Sequence, residues 1–89
     1  MIIKLFGGLR KKAGAVELNE SGVTIREVLQ KISTENEALG AAIFAEGNDA
    51  LRPHIRIMIN GVDSELADGL DTAVSDDDQV AIFPPIAGG

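Results

Sequence analysis

The stretch Val23-Thr24-Ile25-Arg26-Glu27-Val28-Leu29-Gln30-Lys31-Ile32 decides how this chain folds. Thr24 and Glu27 have the spacing of a capping box, in which a hydroxyl and a carboxylate satisfy backbone donors that the start of a helix leaves unpaired. Val23 before the cap and Val28 after it are placed to form a hydrophobic staple. Ile25, Val28, Leu29 and Ile32 recur at i, i+3, i+4 and i+7, giving one apolar stripe, while Arg26, Gln30 and Lys31 face water. Such a helix packs its stripe on a sheet.

The flanking segments supply that sheet. Met1 to Phe6 reads as a strand, with Ile3 and Leu5 on one face and Ile2, Lys4 and Phe6 on the other. Gly7-Gly8 breaks it, and the basic stretch Leu9 to Gly14 reads as a surface loop. It is not a phosphate-binding loop, because G-x-x-x-x-G-K-[ST] is absent and no helix follows the glycines directly. A second strand near Ala15 to Leu18 pairs antiparallel with the first, and Asn19 to Gly22 is a turn. Beyond the main helix, Glu37 to Ala45 forms a shorter helix that Gly40 weakens and Gly47-Asn48-Asp49 ends. Ile55 to Ile59 alternates cleanly and runs into Asn60-Gly61, the preferred pair for a type I′ hairpin turn. Val62 to Leu66 returns along it, Leu70 to Val74 is a loop or short strand, Ser75 to Gln79 is a polar turn, and Val80 to Phe83 is the last strand. The order ββαβ with a terminal strand is an α+β class, a mixed sheet on one main helix, the arrangement of a β-grasp domain. A sheet with the first and last strands at its centre is allowed. Residues 1–83 form this domain, and residues 84–89 form a flexible tail.

Composition narrows the function. Eighty-nine residues suffice for one domain that buries roughly 60–65% of its unfolded surface, which leaves little room for a deep pocket with a catalytic apparatus. The net charge of −6 opposes a nucleic acid partner, and the chain has no Trp or Tyr for base stacking. With no cysteine and one histidine, His54, there is no thiolate nucleophile and no Cys or His metal cluster. Asp76-Asp77-Asp78 lacks the ligand spacing of a calcium loop and reads as a solvated turn. No bound metal or cofactor is expected. Apolar runs are too short to cross a membrane and no signal pattern opens the chain, so a cytoplasmic protein is expected. Beyond Arg56 there is no Lys or Arg while seven acids accumulate, a distribution that would steer the chain toward a basic surface.

The segment least explained by folding is Pro84-Pro85-Ile86-Ala87-Gly88-Gly89. Six residues at about 3.3 Å each project roughly 20 Å, enough to enter a partner's active site. Pro84 and Pro85 block sheet extension and stiffen the root; Ile86 and Ala87 continue it. Without side chains, Gly88 and Gly89 can pass through a channel too narrow for a Cβ. The reactive group is the carboxylate of Gly89, which must be activated before it can be transferred.

Val80-Ala81-Ile82-Phe83 followed by Pro84-Pro85-Ile86-Ala87-Gly88-Gly89 resembles the terminus of ubiquitin-like sulfur carriers of the MoaD and ThiS type, most of all the molybdopterin synthase small subunit. Ile3-Lys4-Leu5-Phe6-Gly7 with Leu9-Arg10, the capped helix at Thr24, and Ile59-Asn60-Gly61 before the acidic Asp71 to Asp78 stretch extend the resemblance along nearly the whole chain. It implies that Gly89 is adenylated with ATP by a ubiquitin-activating-like enzyme and converted to a thiocarboxylate that donates sulfur. It further implies a sulfur-acceptor partner, such as the molybdopterin synthase large subunit, that supplies the catalytic side chains this chain lacks. Residues between the helix and Ile55 that the usually shorter ThiS proteins lack point away from thiamine synthesis. Carriers for cysteine synthesis and modifiers joined to target lysines share these motifs. On the sheet face away from the helix, alternation leaves Ile2, Phe6, Met58 and Phe83 outward as a partner surface, with Arg10 beside it.

Overall fold

In the computed structural model, which describes residues 1–45 and 50–85, the main helix is α2, Ile25–Glu35. Thr24 Oγ1 accepts from the Glu27 amide at 3.2 Å, the hydroxyl half of the box, while the Glu27 carboxylate lies 3.6 Å from Lys31 Nζ. Ile25, Val28, Leu29 and Ile32 are all buried, as the periodicity predicts. The staple differs: Val23 is 66% exposed, and Gly22 takes the place against Val28, where an added Cβ would meet Val28 Cγ2 at 2.8 Å. Val23 contributes its carbonyl instead, accepting from Val74 N at 3.0 Å.

Among the described residues, strands β1 (Ile2–Leu5), β2 (Glu17–Asn19), β3 (Arg56–Ile59), β4 (Val62–Asp63) and β5 (Gln79–Phe83) form one mixed sheet in the order β2-β1-β5-β3-β4. The first and last strands sit together within it and run parallel, Ile3 opposite Val80 and Leu5 opposite Ile82; every other pairing is antiparallel. Ile3, Leu5, Ile57, Val80 and Ile82 point from the sheet into the core with α2, and Ile55 just before β3 joins them. Ile59 is only half-buried, because it lies at the hairpin end. Asn60 and Gly61 have φ of 51° and 82°, the left-handed pair that the type I′ turn requires.

Several segments depart from the sequence expectation for local reasons. The basic loop is a helix, α1 (Leu9–Ala13), anchored by buried Leu9 and ended by Gly14 at φ 70°, whose N–H bonds to Arg10 O; a helix therefore does follow Gly7-Gly8 directly, and the missing G-x-x-x-x-G-K-[ST] alone argues against a phosphate loop. The second strand is shifted to Glu17–Asn19, absorbing the start of the expected turn. The return strand stops at Asp63, whose Oδ1 accepts from Glu65 N at 3.0 Å and opens a 3₁₀ turn at Ser64–Leu66. A second 3₁₀ turn, Gly69–Asp71, replaces part of the Leu70 to Val74 segment. The shorter helix α3 is Glu37–Ile43; the stop expected at Gly47-Asn48-Asp49 lies outside the described residues. Asn36 joins α1, α2 and α3. It closes α2 through its N–H to Ile32 O, caps α3 by accepting from Leu39 N at 3.0 Å, and donates to Lys12 O of α1 at 3.1 Å.

Gly40 is a packing requirement and not a weak point of α3. It is buried against α2, and an added Cβ would lie 2.7 Å from Ser33 Cβ and 2.8 Å from Ser33 Cα. Gly40→Ala would gain up to about 1 kcal/mol of helix propensity. Forced separation of two packed helices costs about 1–3 kcal/mol, so the net effect is destabilising. Urea denaturation should show a lower midpoint for Gly40→Ala, and Ser33→Gly should recover part of it.

Asp78 ties the loop before β5 to the hairpin: Asn60 Nδ2 donates to its Oδ1 at 2.9 Å and Ser75 N to its Oδ2 at 2.8 Å. These bonds, Asn60 first, hold its carboxyl below the usual carboxylate range. A depressed folded-state pKa gives stability that is complete above the unfolded value and is lost as pH falls through the folded one. Asp78→Asn should therefore melt lower at pH 7 and lose less stability on acidification. Parallel stability curves for the two proteins between pH 7 and acid would contradict this.

Candidate functional site

The carboxyl ends of β1 and β5 leave the sheet at the same edge because the two strands are parallel neighbours in register. Phe6 follows β1, and Phe83 ends β5. Their rings stack with centroids 4.4 Å apart and planes 11° from parallel. Arg10, brought back by the turn into α1, donates from Nε to Leu5 O at 2.8 Å and sets its guanidinium carbon 5.3 Å from the Phe6 ring centroid. An aromatic pair of this kind adds about 0.5–1.5 kcal/mol beyond its buried area, and the cation about 0.5–1 kcal/mol more.

Pro84 continues directly from this stack and is half-buried; Pro85 is exposed. Ile86, Ala87, Gly88 and Gly89 lie outside the described residues. Gly7, in the turn between β1 and α1, has φ +56°, and an added Cβ there would be 2.7 Å from Pro84 Cγ. The doublet Gly7-Gly8 carried this signal in the sequence, where it indicates no more than a strand break.

The outer sheet face collects most of the expected partner surface. Met58 is half-buried on the floor of an open concavity of about 990 Å³, beside Lys4, Arg56, Phe83, Val62 and Leu66. Val62 and Leu66 are 53% and 81% exposed, and sequence periodicity did not mark them. Leu66 swings out on the 3₁₀ turn that Asp63 caps, and the Asp-Ser pair at 63–64 was its readable signal. Ile2, 40% exposed, shares the face but sits at the other end of β1, roughly 13 Å along the strand from Phe6. It does not join the ring cluster. A smaller hollow of about 450 Å³ lies at the tail root between His54, Arg56, Phe83, Pro84 and Pro85.

The acidic half of the chain is partly used within the fold. Asp63 accepts from Arg56 Nη1 at 2.9 Å, Asp71 from Arg26 Nε at 3.2 Å, and Asp78 from Asn60. Among the described residues no group of three or more His, Asp or Glu is arranged to hold a metal ion, and no helix is long and apolar enough to cross a membrane. What this edge offers is a directed chain exit beside an apolar, cation-rimmed face.

This architecture defines a ubiquitin-like β-grasp protein. The ThiS family model matches residues 3–89, and the chain belongs to that family. It is 32% identical to small archaeal modifier protein 1 of Haloferax volcanii over 97% of each chain. The solution structure of small archaeal modifier protein 1 from Methanosarcina acetivorans superposes with a TM-score of 0.90 at 36% identity, covering 99% of this chain and 94% of that one. A chain of the Amycolatopsis orientalis BexX/CysO complex gives 0.86 at 25% identity, covering 99% and 98%.

Phe6→Ala, Phe83→Ala and the double variant should show a coupling of about 0.5–1.5 kcal/mol in a double-mutant cycle of unfolding free energies. Additive single effects would show that the two rings act independently.

Proposed function

We propose that this protein is a carrier whose Gly89 carboxylate is adenylated by an ATP-dependent activating enzyme and then bears sulfur as a thiocarboxylate. The observation that carries this reading is the ThiS match, which runs to residue 89 and so includes Gly88-Gly89. The tail root supports it, since Phe83 and Pro84 are packed against Phe6 and Gly7 at one edge of the sheet.

The chemistry balances without a catalytic side chain from this chain. The Gly89 carboxylate oxygen attacks the α-phosphorus of ATP and pyrophosphate leaves, forming the acyl-adenylate. A hydrosulfide-level nucleophile then attacks the acyl carbon; the carbon–oxygen bond breaks and AMP departs with that oxygen, leaving the thiocarboxylate. Gly88 and Gly89, lacking Cβ atoms, let the reacting end pass a narrow channel in the enzyme. Phe6, Met58, Phe83 and Arg10 form the surface on which the activating enzyme and the sulfur acceptor dock in turn, with Ile2 at its margin. In this reading the carrier works in the cytoplasm, with ATP supplied to the activating enzyme there.

For the acceptor we favour a molybdopterin precursor, with this chain as the small subunit of the synthase and the acids and lysines of the reaction on the large one. A second reading is that Gly89 is joined to lysines of target proteins. The 32% identity to an archaeal modifier protein over nearly the whole of both chains favours it.

The chain incubated with ATP, its activating enzyme and sulfide should change in intact mass by the replacement of one oxygen by sulfur. Deleting Gly89 should abolish that change and leave the melting temperature within error of the wild type. An unchanged mass in the wild-type chain would refute the carrier reading. Covalent adducts in cell extract that vanish with the deletion would establish the second reading.

A further inference from the structure

Four described glycines share a left-handed backbone: Gly7 at φ +56°, Gly14 at +70°, Gly61 at +82° and Gly69 at +60°. At Gly14, Gly61 and Gly69 an added Cβ would meet nothing within 4 Å, so turn geometry alone accounts for them. Gly7 differs. Its Cβ would stand 2.7 Å from Pro84 Cγ and 3.5 Å from Pro84 Cδ, whereas the adjacent Gly8 has open space.

We propose that Gly7 is the positioning residue of the tail: its bare Cα is a seat for the Pro84 ring that fixes the direction in which the chain leaves the sheet. Ring pucker is the one internal freedom by which Pro84 can ease such a contact, because φ is locked and the preceding residue is held on two sides. Phe83 pairs with Arg56 across the ladder and stacks on Phe6. The register Leu5 opposite Ile82 brings Gly7 level with Pro84, so the position of the seat is set by the sheet itself. A methyl at residue 7 would push the Pro84 ring back by about 0.7 Å to reach the 3.4 Å of ordinary contact. A group that must meet ATP in line tolerates little misplacement; about 1 Å can cost on the order of 100-fold in rate. The docking face beyond the rings is untouched by the change.

The kinetic consequence rests on the proposed activation of Gly89; the seat itself does not. ATP–pyrophosphate exchange by the activating enzyme should therefore be measured with the wild type, Gly7→Ala, Gly14→Ala, Pro84→Ala and Gly7→Ala/Pro84→Ala. Gly7→Ala should lower kcat about tenfold with KM nearly unchanged, since a partly unfolded sample would raise the apparent KM instead. Gly14→Ala, which carries the same left-handed strain without the clash, should keep the wild-type kcat. In the Pro84→Ala background, Gly7→Ala should have no further effect on kcat. If Gly7→Ala and Gly14→Ala behave alike, or the double variant shows the full additional loss, the proposal falls. No exchange with the wild type would refute the activation reading, and the seat is then read directly by NMR. A nuclear Overhauser contact between Gly7 Hα and Pro84 Hγ must be present in the wild type, and its absence would overturn the seat.

Discussion

The parallel pairing of β1 with β5 is the constraint on which the rest of this molecule depends. It joins residues nearly eighty positions apart, Ile2 with Gln79 and Leu5 with Ile82, and so closes the chain on itself. Each strand of the pair buries alternate residues, Ile3 and Leu5 from one and Val80 and Ile82 from the other, under the stripe of α2. Full burial of one such side chain contributes about 1.5–3 kcal/mol, so a register slip would expose the whole set at once. An antiparallel pair would send the two carboxyl ends to opposite edges. The parallel one delivers both to the same edge, and that is why Phe6 meets Phe83 and Gly7 meets Pro84.

On the proposed reading, function comes from position and not from a reactive side chain. The titratable groups that are held firmly in this fold are engaged in holding it: Asp78 spans the hairpin and the loop before β5, Asp63 caps a turn while pairing with Arg56, and Asp71 binds Arg26. Among the described residues the one acid pushed above its usual range is exposed Glu35, through a shared hydrogen bond and like charge with half-buried Glu20, far in sequence from the tail. A small core suffices for this design. Under that proposal it has to hold two strands in register and present the chain that leaves β5, without a substrate pocket of its own.

Elements with a strong period and an explicit end were legible from the residues. Thr24 marked the cap, the stripe at 25, 28, 29 and 32 marked the buried face, and Asn60-Gly61 marked the hairpin with both left-handed residues. Short elements stabilised by tertiary contact were not. Helix α1 has five residues, too few for periodicity, and stands because Leu9 is buried and Gly14 ends it. Val23 and Gly22 exchanged roles because the chain enters α2 with Val23 turned to solvent and bonded through its carbonyl to Val74. Gly40 looked like a helix fault and proved to be a helix-helix contact, which only the partner residue Ser33 reveals. At the site, alternation placed Phe6, Met58 and Phe83 on one face correctly, but the approach of Gly7 to Pro84 depends on a register across the whole chain, and no local pattern encodes it.

If the reacting atom belongs to the carboxylate of Gly89, activation passes through one of its oxygens, and label transfer reads that oxygen. The chain is prepared with heavy oxygen in the Gly89 carboxylate and incubated with ATP, the activating enzyme and sulfide, and the released AMP is weighed by mass spectrometry. Each AMP should carry one heavy oxygen, matched by a protein that has lost one heavy oxygen and gained one sulfur. AMP formed without label, alongside a protein that keeps both heavy oxygens, would contradict activation through Gly89.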